Sequence, residues 1–228
     1  GSDTGAASDW EADADTDSDA DTDWGSETED DFLMLAPATT DAYVFVANPE
    51  RDTVTRVSVP SLEVITVEVG TSPAVAVTTA DYRKAVVFNE GSDDLSILDA
   101  DTLDEVRVPV REHLNAMELS PDGEWAICYR DADQDEDDGT SGGGVESYNE
   151  ISLVNTSSYE HYPMVVGFNP RQVRYTEDSE LALVVSDAYV ALIDLTSALP
   201  SPSLVQLAED LLDPPSAEEI EIAPDGSY

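Results

Sequence analysis

The chain has 228 residues, enough for one sizeable domain or two small ones, and 41% of them are hydrophobic, so a packed core can form. Fifty-one acidic residues against nine basic ones give a formal net charge of −42 at pH 7. A surface of this sign repels phosphate backbones, so we expect no nucleic-acid partner. No stretch approaches the ~18 apolar residues of a membrane-spanning helix, so no membrane span is predicted. The single cysteine, Cys128, excludes an intrachain disulfide framework.

Residues 1–31 form an acidic leader in which aspartate alternates with alanine, threonine and serine. They hold 13 of the 51 acidic residues and no lysine or arginine. Apolar content this low cannot offset the conformational entropy of ordering, so we expect a disordered, extended leader. The leader resembles the Asp- and Ser/Thr-rich tethers that follow the lipid-modified cysteine of bacterial surface lipoproteins. This resemblance implies an extracytoplasmic location (secreted, periplasmic or cell surface) and an N-terminal lipid anchor outside this sequence.

From residue 32 onward, short apolar runs are separated by Asp, Gly, Pro and Asn, the pattern of strands and turns. The runs recur in a fixed order, and five turn motifs begin 42, 42, 56 and 47 residues apart. Four short strands in every ~40–45 residues predict a β-propeller, an all-β fold of four-stranded antiparallel blades. The turn motifs are Leu35–Asp41, Val77–Asp81, Leu119–Gly123, Tyr175–Asp178 and Ile222–Gly226.

The period divides the rest of the chain into four blades and the start of a fifth at residue 218. The third blade is long because an acidic, glycine-rich insert, residues 131–146, is predicted between its second and third strands. The chain stops where the next strand of the fifth blade should begin, so we expect an incomplete ring with exposed, aggregation-prone end blades. The predicted blades are residues 32–70, 73–110, 114–166 and 170–208.

Several strand and turn motifs of the repeat together point to one family. They are Tyr43–Asn48, Leu95–Asp99, Val69–Pro73, Val75–Val77, Leu119–Gly123 and Gly167–Pro170. These motifs resemble those of the YVTN family of β-propeller repeats, whose members read roughly as Tyr-Val-Thr-Asn, a Thr-Val-Ser-Val-Ile-Asp strand, a Val-Gly-x-x-Pro turn and Val-Ala-Val-Ser-Pro-Asp-Gly. The resemblance covers about residues 32–228 and implies a ring of about seven blades, of a lactonase-like or surface-layer type.

Candidate ligand-binding residues fall at two places in the repeat. Arg171 and Arg174 lie on an innermost-type strand, where they would line the central channel and hold an anionic ligand, or pair with neighbouring carboxylates. The residues that end the second strands should face one rim of the ring, and their differing identities argue against a repeated ligand code. They are Asn48, Asn89, Arg130 and Ser186.

The insert supplies candidate ligands for Ca²⁺, the one cofactor that the sequence suggests. Alternate carboxylates offer the hard oxygen atoms that calcium prefers. If Asp135 is the first ligand, Glu146 is the twelfth, but the glycine of the loop, Gly139, falls fifth rather than sixth. A solvated acidic loop is therefore the competing interpretation. The candidate metal ligands are Asp131, Asp133, Asp135, Asp137 and Glu146.

These observations favour a non-enzymatic, extracytoplasmic or cell-envelope propeller that serves as a binding or display scaffold. Its partner would be a protein or another component of the envelope. A lactonase-like hydrolase with its site in the central channel is one alternative, and a calcium-dependent adhesion module is another. The sequence contains no His-Glu-x-x-His, no phosphate-binding glycine loop and no Gly-x-Ser-x-Gly elbow, so it names no catalytic residue.

Overall fold

A computed structural model describes residues 36–131 and 149–207. In these residues, sixteen strands form four sheets of four antiparallel strands, each sheet in chain order. The predicted all-β fold of four-stranded antiparallel blades is confirmed. The leader, most of the acidic insert and the predicted start of a fifth blade lie outside the described residues. The described part holds no helix long and apolar enough to cross a membrane.

The strands of each sheet follow one another along the chain. In blade 1, a 3-10 turn at Pro49–Arg51 joins the second strand to the third. Blade 1 contains β1 (Ala38–Thr39), β2 (Tyr43–Asn48), β3 (Thr53–Ser58) and β4 (Val64–Glu68). Blade 2 contains β5 (Pro73–Thr78), β6 (Lys84–Asn89), β7 (Asp94–Asp99) and β8 (Glu105–Pro109). Blade 3 contains β9 (Ala116–Leu119), β10 (Trp125–Tyr129), β11 (Glu150–Asn155) and β12 (His161–Val165). Blade 4 contains β13 (Gln172–Tyr175), β14 (Leu181–Val185), β15 (Tyr189–Asp194) and β16 (Pro202–Gln206).

The hydrophobic core of the described residues lies between the blades. Each of three buried clusters takes its side chains from two consecutive blades. Between blades 1 and 2, for example, Phe45 and Val54 pack with Val87 and Leu98, all of them fully buried. Because the side chains of a strand alternate between its two faces, an inner blade contributes one set of residues to the core before it and the other set to the core after it. Near-continuous apolar strands such as β6 are the result.

Left-handed backbone recurs at fixed places in the repeat. Ten non-glycine residues of the described chain have φ between 51° and 63°. In each of three kinds of turn, the left-handed residues of successive blades are 41 and then 56 residues apart. The geometry of the blade, and not a local preference, therefore requires this conformation. The turns from the third to the fourth strand hold Leu62, Leu103 and Tyr159; the connections between blades hold Ser72, His113 and Asn169; the turns from the first to the second strand hold Tyr82, Gly123 and Ser179.

Acidic and amide side chains end the third strands, as their turn chemistry predicts. Asp99 accepts hydrogen bonds through Oδ1 from the backbone N–H groups of Thr102 at 2.8 Å and Asp101 at 3.0 Å. Asn155 receives the same two bonds in blade 3, from the N–H groups of Ser157 and Ser158. The bonds to Asp99 favour its charged form and lower the pKa of its carboxyl, that from Thr102 most strongly.

Candidate functional site

The innermost strands place one residue of each blade in the same layer, nearest the centre. Each of these residues is paired with the third residue of the second strand of its blade. Two of the four are apolar and two carry opposite charges, so the layer is charged only on blades 3 and 4. The four residues, in blade order, are Ala38, Val77, Glu118 and Arg174.

Glu118 and Arg174 are both exposed, and they influence each other electrostatically. Partial desolvation raises the pKa of the Glu118 carboxyl, and the positive charge of Arg174 partly opposes this shift. The Tyr175 hydroxyl donates a hydrogen bond to the Glu118 carbonyl at 3.1 Å, which joins the two innermost strands. Burial raises the pKa of the nearby Tyr129 to about 12, with smaller contributions from the charges of Glu118 and Asp131. The layer therefore combines a carboxyl group of raised pKa with a nearby cation.

Glu118 is not among the residues predicted from the sequence, although the repeat contains the signal for it. Glu118 directly precedes the turn motif of blade 3, Leu119–Gly123, and Arg174 directly precedes the corresponding motif of blade 4, Tyr175–Asp178. Aligning the two motifs places the two residues at one position of the repeat. The register of the strands gives the same correspondence.

Arg171 and Arg174 have different surroundings. Arg171 precedes β13, and its Nε lies 2.8 Å from Oδ1 of Asp187, so it pairs with a carboxylate. Arg174 lies within β13 and makes no ion pair with any carboxylate of the described residues, although acidic side chains outnumber basic ones throughout the chain. Binding of an anionic ligand by either residue stays a prediction.

The residues at the ends of the second strands share one ring position, but two of them are fully buried. Asn89 and Ser186 lie beneath the connections between blades, beside Gly70 and Gly167. A Cβ atom on Gly70 would stand 2.6 Å from Cβ of Asn89, and one on Gly167 would stand 2.3 Å from Oγ of Ser186. This close approach explains the glycine of the repeated Gly-x-x-Pro turn. The ligand-binding role of the ring position stays a prediction.

Asp131 begins the insert and Arg130 directly precedes it, and both are attached to the connection between blades 2 and 3. Arg130 donates from Nη1 to the carbonyl of His113 at 2.9 Å. The Asn115 side chain makes two hydrogen bonds to the backbone of Asp131: its Oδ1 accepts from the Asp131 N–H at 2.7 Å, and its Nδ2 donates to the Asp131 carbonyl at 2.9 Å. Asn115 is itself buried, so it fixes the start of the insert to the frame.

The predicted calcium site cannot be placed in this structure. Asp133, Asp135, Asp137 and Glu146 lie outside the described residues. Within residues 36–131 and 149–207, no group of three or more His, Cys, Asp or Glu side chains is arranged to hold a metal ion. Calcium binding by the insert stays a prediction.

No protein-family model and no curated protein matches this chain. Its fold is similar to several solved structures, each with a TM-score of 0.50. Hydrazine synthase of Kuenenia stuttgartiensis is 21% identical, over 75% of this chain and 53% of that one. A proposed 6-phosphogluconolactonase of Bacteroides uniformis is 15% identical, over 78% and 54%. A streptogramin B lyase is 10% identical, over 75% and 54%.

These similarities define the architecture as propeller-like. At such low identity they show the fold and nothing further. The chain spans about half the length of each of these structures.

Proposed function

We propose that the protein is a non-enzymatic, extracytoplasmic propeller of the YVTN type that serves as a binding or display scaffold of the cell envelope. The observation that carries this proposal is the attached start of the insert. The longest interruption of the repeat leaves the frame at one rim, and a buried asparagine holds its first residue through two hydrogen bonds. Loops presented by a rigid scaffold are the usual carriers of binding function.

The frame that presents the insert is stiffened by cations placed between blades. Arg56 is buried, donates from Nη1 to the carbonyls of Ala100 at 2.8 Å and Asp101 in the next blade, and lies over the Tyr43 ring. Lys84 donates from Nζ to the carbonyl of Thr156 at 2.7 Å, also in the next blade. Two of the nine basic residues thus hold consecutive blades together. An acidic leader of the kind that tethers surface lipoproteins supports placing this frame outside the cytoplasm.

Binding to isolated cell-envelope fractions tests the scaffold proposal. We expect the 228-residue chain to co-sediment saturably with these fractions, and a variant lacking residues 132–146 to lose this binding. Asn115→Ala, which removes the attachment but keeps the insert, should weaken binding to a smaller extent. EDTA in a parallel series separates a plain scaffold from the calcium-dependent adhesion module. Undiminished binding by the deletion variant would contradict the proposal.

A lactonase-like hydrolase is the second candidate. It is favoured by the similarity to a proposed 6-phosphogluconolactonase and by the charged layer. A carboxyl group with a raised pKa, such as Glu118, is a candidate for proton transfer, and Arg174 would stabilise negative charge on the ring-opening oxygen. Turnover of sugar lactones that is lost in Glu118→Gln would favour this candidate. Equal rates for the chain and the variant would reject it.

A further inference from the structure

We propose that the side-chain amide of Asn155 carries an N-linked glycan. Asn155-Thr156-Ser157 is the only Asn-x-Ser/Thr sequence in the chain, and its middle residue is not proline, as acceptor sites require. The inference rests on the extracytoplasmic location in the proposed function, because this modification is made on secreted and surface proteins. The other five asparagines have no serine or threonine two residues later; they are Asn48, Asn89, Asn115, Asn149 and Asn169.

Asn155 ends β11, at the turn to the outer strand of blade 3, and that turn faces solvent. Ser157, Ser158 and Tyr159 are all exposed, and Asn155 itself is half-buried. The Asn155 Oδ1 atom accepts hydrogen bonds from the backbone N–H groups of Ser157 at 2.9 Å and Ser158 at 2.7 Å. The other polar atom of the side chain, Nδ2, makes no hydrogen bond within the described residues. The acceptor nitrogen is therefore free, while the turn holds the amide oxygen in place.

The turn itself does not require an amide, because blades 2 and 4 make it with a carboxylate. Asp99 accepts hydrogen bonds from the N–H groups of Asp101 and Thr102. Asp194 accepts one from the N–H group of Thr196 in the same way. Among the four described blades, only blade 3 ends its third strand on asparagine. In a chain with 51 acidic residues, the amide at this one place supplies a nitrogen that a carboxylate lacks.

Contacts with the frame fix the middle of the acceptor sequence. Lys84, of blade 2, donates from Nζ to the Thr156 carbonyl at 2.7 Å and to the Ser157 hydroxyl oxygen at 3.4 Å. Thr156 is buried and donates from its own hydroxyl to the Gly123 carbonyl at 2.7 Å. The threonine is thus anchored to the frame, whereas the asparagine and the serine on either side of it reach the surface.

A glycan at this turn would stand at the rim opposite to the start of the insert. The insert lies before Glu150, which is the first residue of β11, and Asn155 is the last residue of the same strand. At ~3.3 Å per residue, the two ends of this strand are about 17 Å apart. A sugar on Asn155 therefore leaves the insert free to bind its partner.

The attachment is a glycosyl transfer from a lipid-linked sugar phosphate. A bond forms between Nδ2 of Asn155 and the anomeric carbon of the sugar, and the bond from that carbon to the phosphate oxygen breaks. The electron pair of the broken bond leaves with the phosphate, and one proton of the amide passes to a base of the transferase. The substrate class is therefore an oligosaccharide carried on a lipid phosphate, and the second substrate is this exposed turn.

Mass spectrometry of the protein from its source cells tests the inference. Cleavage after glutamate releases residues 151–160, which contain a single asparagine. We expect this peptide to carry the added mass of an oligosaccharide, with the sugar on Asn155 in the fragment spectra. Asn155→Asp, which keeps the turn as Asp99 does, and Ser157→Ala should each lose the added mass. Ser157→Thr should retain it, and so should the matched control, Ser158→Ala, one residue beyond the acceptor sequence.

The cell fraction that contains the protein separates this inference from the proposed function. An unmodified Asn155 in protein recovered from the cell envelope would overturn the inference and leave the proposed function standing. Unmodified protein recovered from the cytoplasm would contradict both. Sugar that is retained in Asn155→Asp would also overturn the inference, because it would then be linked through a hydroxyl oxygen. Circular dichroism melts of the variants establish that they remain folded.

Discussion

Blade 2 and blade 1 contain similar strands but are buried to different extents. In β6 of blade 2, all five residues from Ala85 to Asn89 are buried, whereas in β2 of blade 1 only Phe45 and Ala47 are. Blade 2 has a neighbour on both faces, and blade 1 has a described neighbour on one. The burial of a strand's side chains in this protein is therefore determined by the adjacent blades and not by the apolar content of the strand itself. Mutations at equivalent positions of the two blades can test this rule.

The largest loss of stability should come from substitutions in the second strand of blade 2. Phe88→Ala should lower the free energy of unfolding by about 3–5 kcal/mol, and Val87→Ala by about 2 kcal/mol, because each leaves a cavity in a junction. Val46, the residue of blade 1 equivalent to Val87, is half-buried, so Val46→Ala should cost less than ~1 kcal/mol. Urea unfolding gives these values. Equal losses of unfolding free energy in Val87→Ala and Val46→Ala would contradict the rule that adjacent blades determine burial.

The cation between blades 1 and 2 should have the next largest effect. Arg56→Met should cost about 2–3 kcal/mol, because it removes charge-assisted hydrogen bonds to two carbonyls of blade 2. Arg83→Met serves as its control. Arg83 is exposed and lies 3.8 Å from Asp81, so its removal should change stability by less than ~0.5 kcal/mol. Similar losses in the two variants would show that Arg56 does not hold the blades together.

A substitution in the connection between blades 1 and 2 should have a smaller effect on stability. Gly70→Ala should cost about 2 kcal/mol, because the new Cβ would stand 2.4–2.6 Å from Ser92, Asp94 and Asn89. Arg111 occupies the same place in the connection between blades 2 and 3, where a side chain is already accommodated. Arg111→Ala should therefore change stability by less than ~1 kcal/mol. A tolerated Gly70→Ala would contradict the account of the Gly-x-x-Pro turn.

The smallest effect is a dependence on acid at the end of the third strand of blade 2. The folded-state pKa of Asp99 lies below its usual value, so its contribution to stability is complete above the unfolded pKa of about 4 and is lost as the pH falls through the folded pKa. Asn155 makes the same hydrogen bonds in blade 3 without a charge. Asp99→Asn should therefore keep the turn and remove its part of the pH dependence. Stability curves from pH 6 to pH 2 that are parallel for the two chains would contradict this assignment.

The repeat could be predicted from the sequence because strands and turns have local signatures. Alternating apolar runs closed by Asp, Gly and Pro appear at a regular period, and the structure has the predicted four-stranded antiparallel sheets. The turn role of Asp99 and Asn155 was also visible, because their side chains bond to backbone only two or three residues away.

What the sequence could not supply depends on contacts between blades. The hydrogen bonds of Arg56 and Lys84 go to turns of the next blade, which lie 45 and 72 residues further along the chain. The burial of Asn89 and Ser186 beneath the connections has the same origin. Left-handed backbone at Leu62 and Tyr82 is also unexpected, since nothing in these residue types favours that conformation. Each of these features is fixed by the packing of the array.

Hydrogen exchange resolved to single strands tests most directly that the core lies between blades. We predict the slowest exchange in the second and third strands of the two inner blades, β6, β7, β10 and β11, because both faces of these strands are covered. Strands β2 and β3 of blade 1 should exchange faster, despite their similar sequence. Equal protection of all four blades, or slowest exchange in blade 1, would contradict the account.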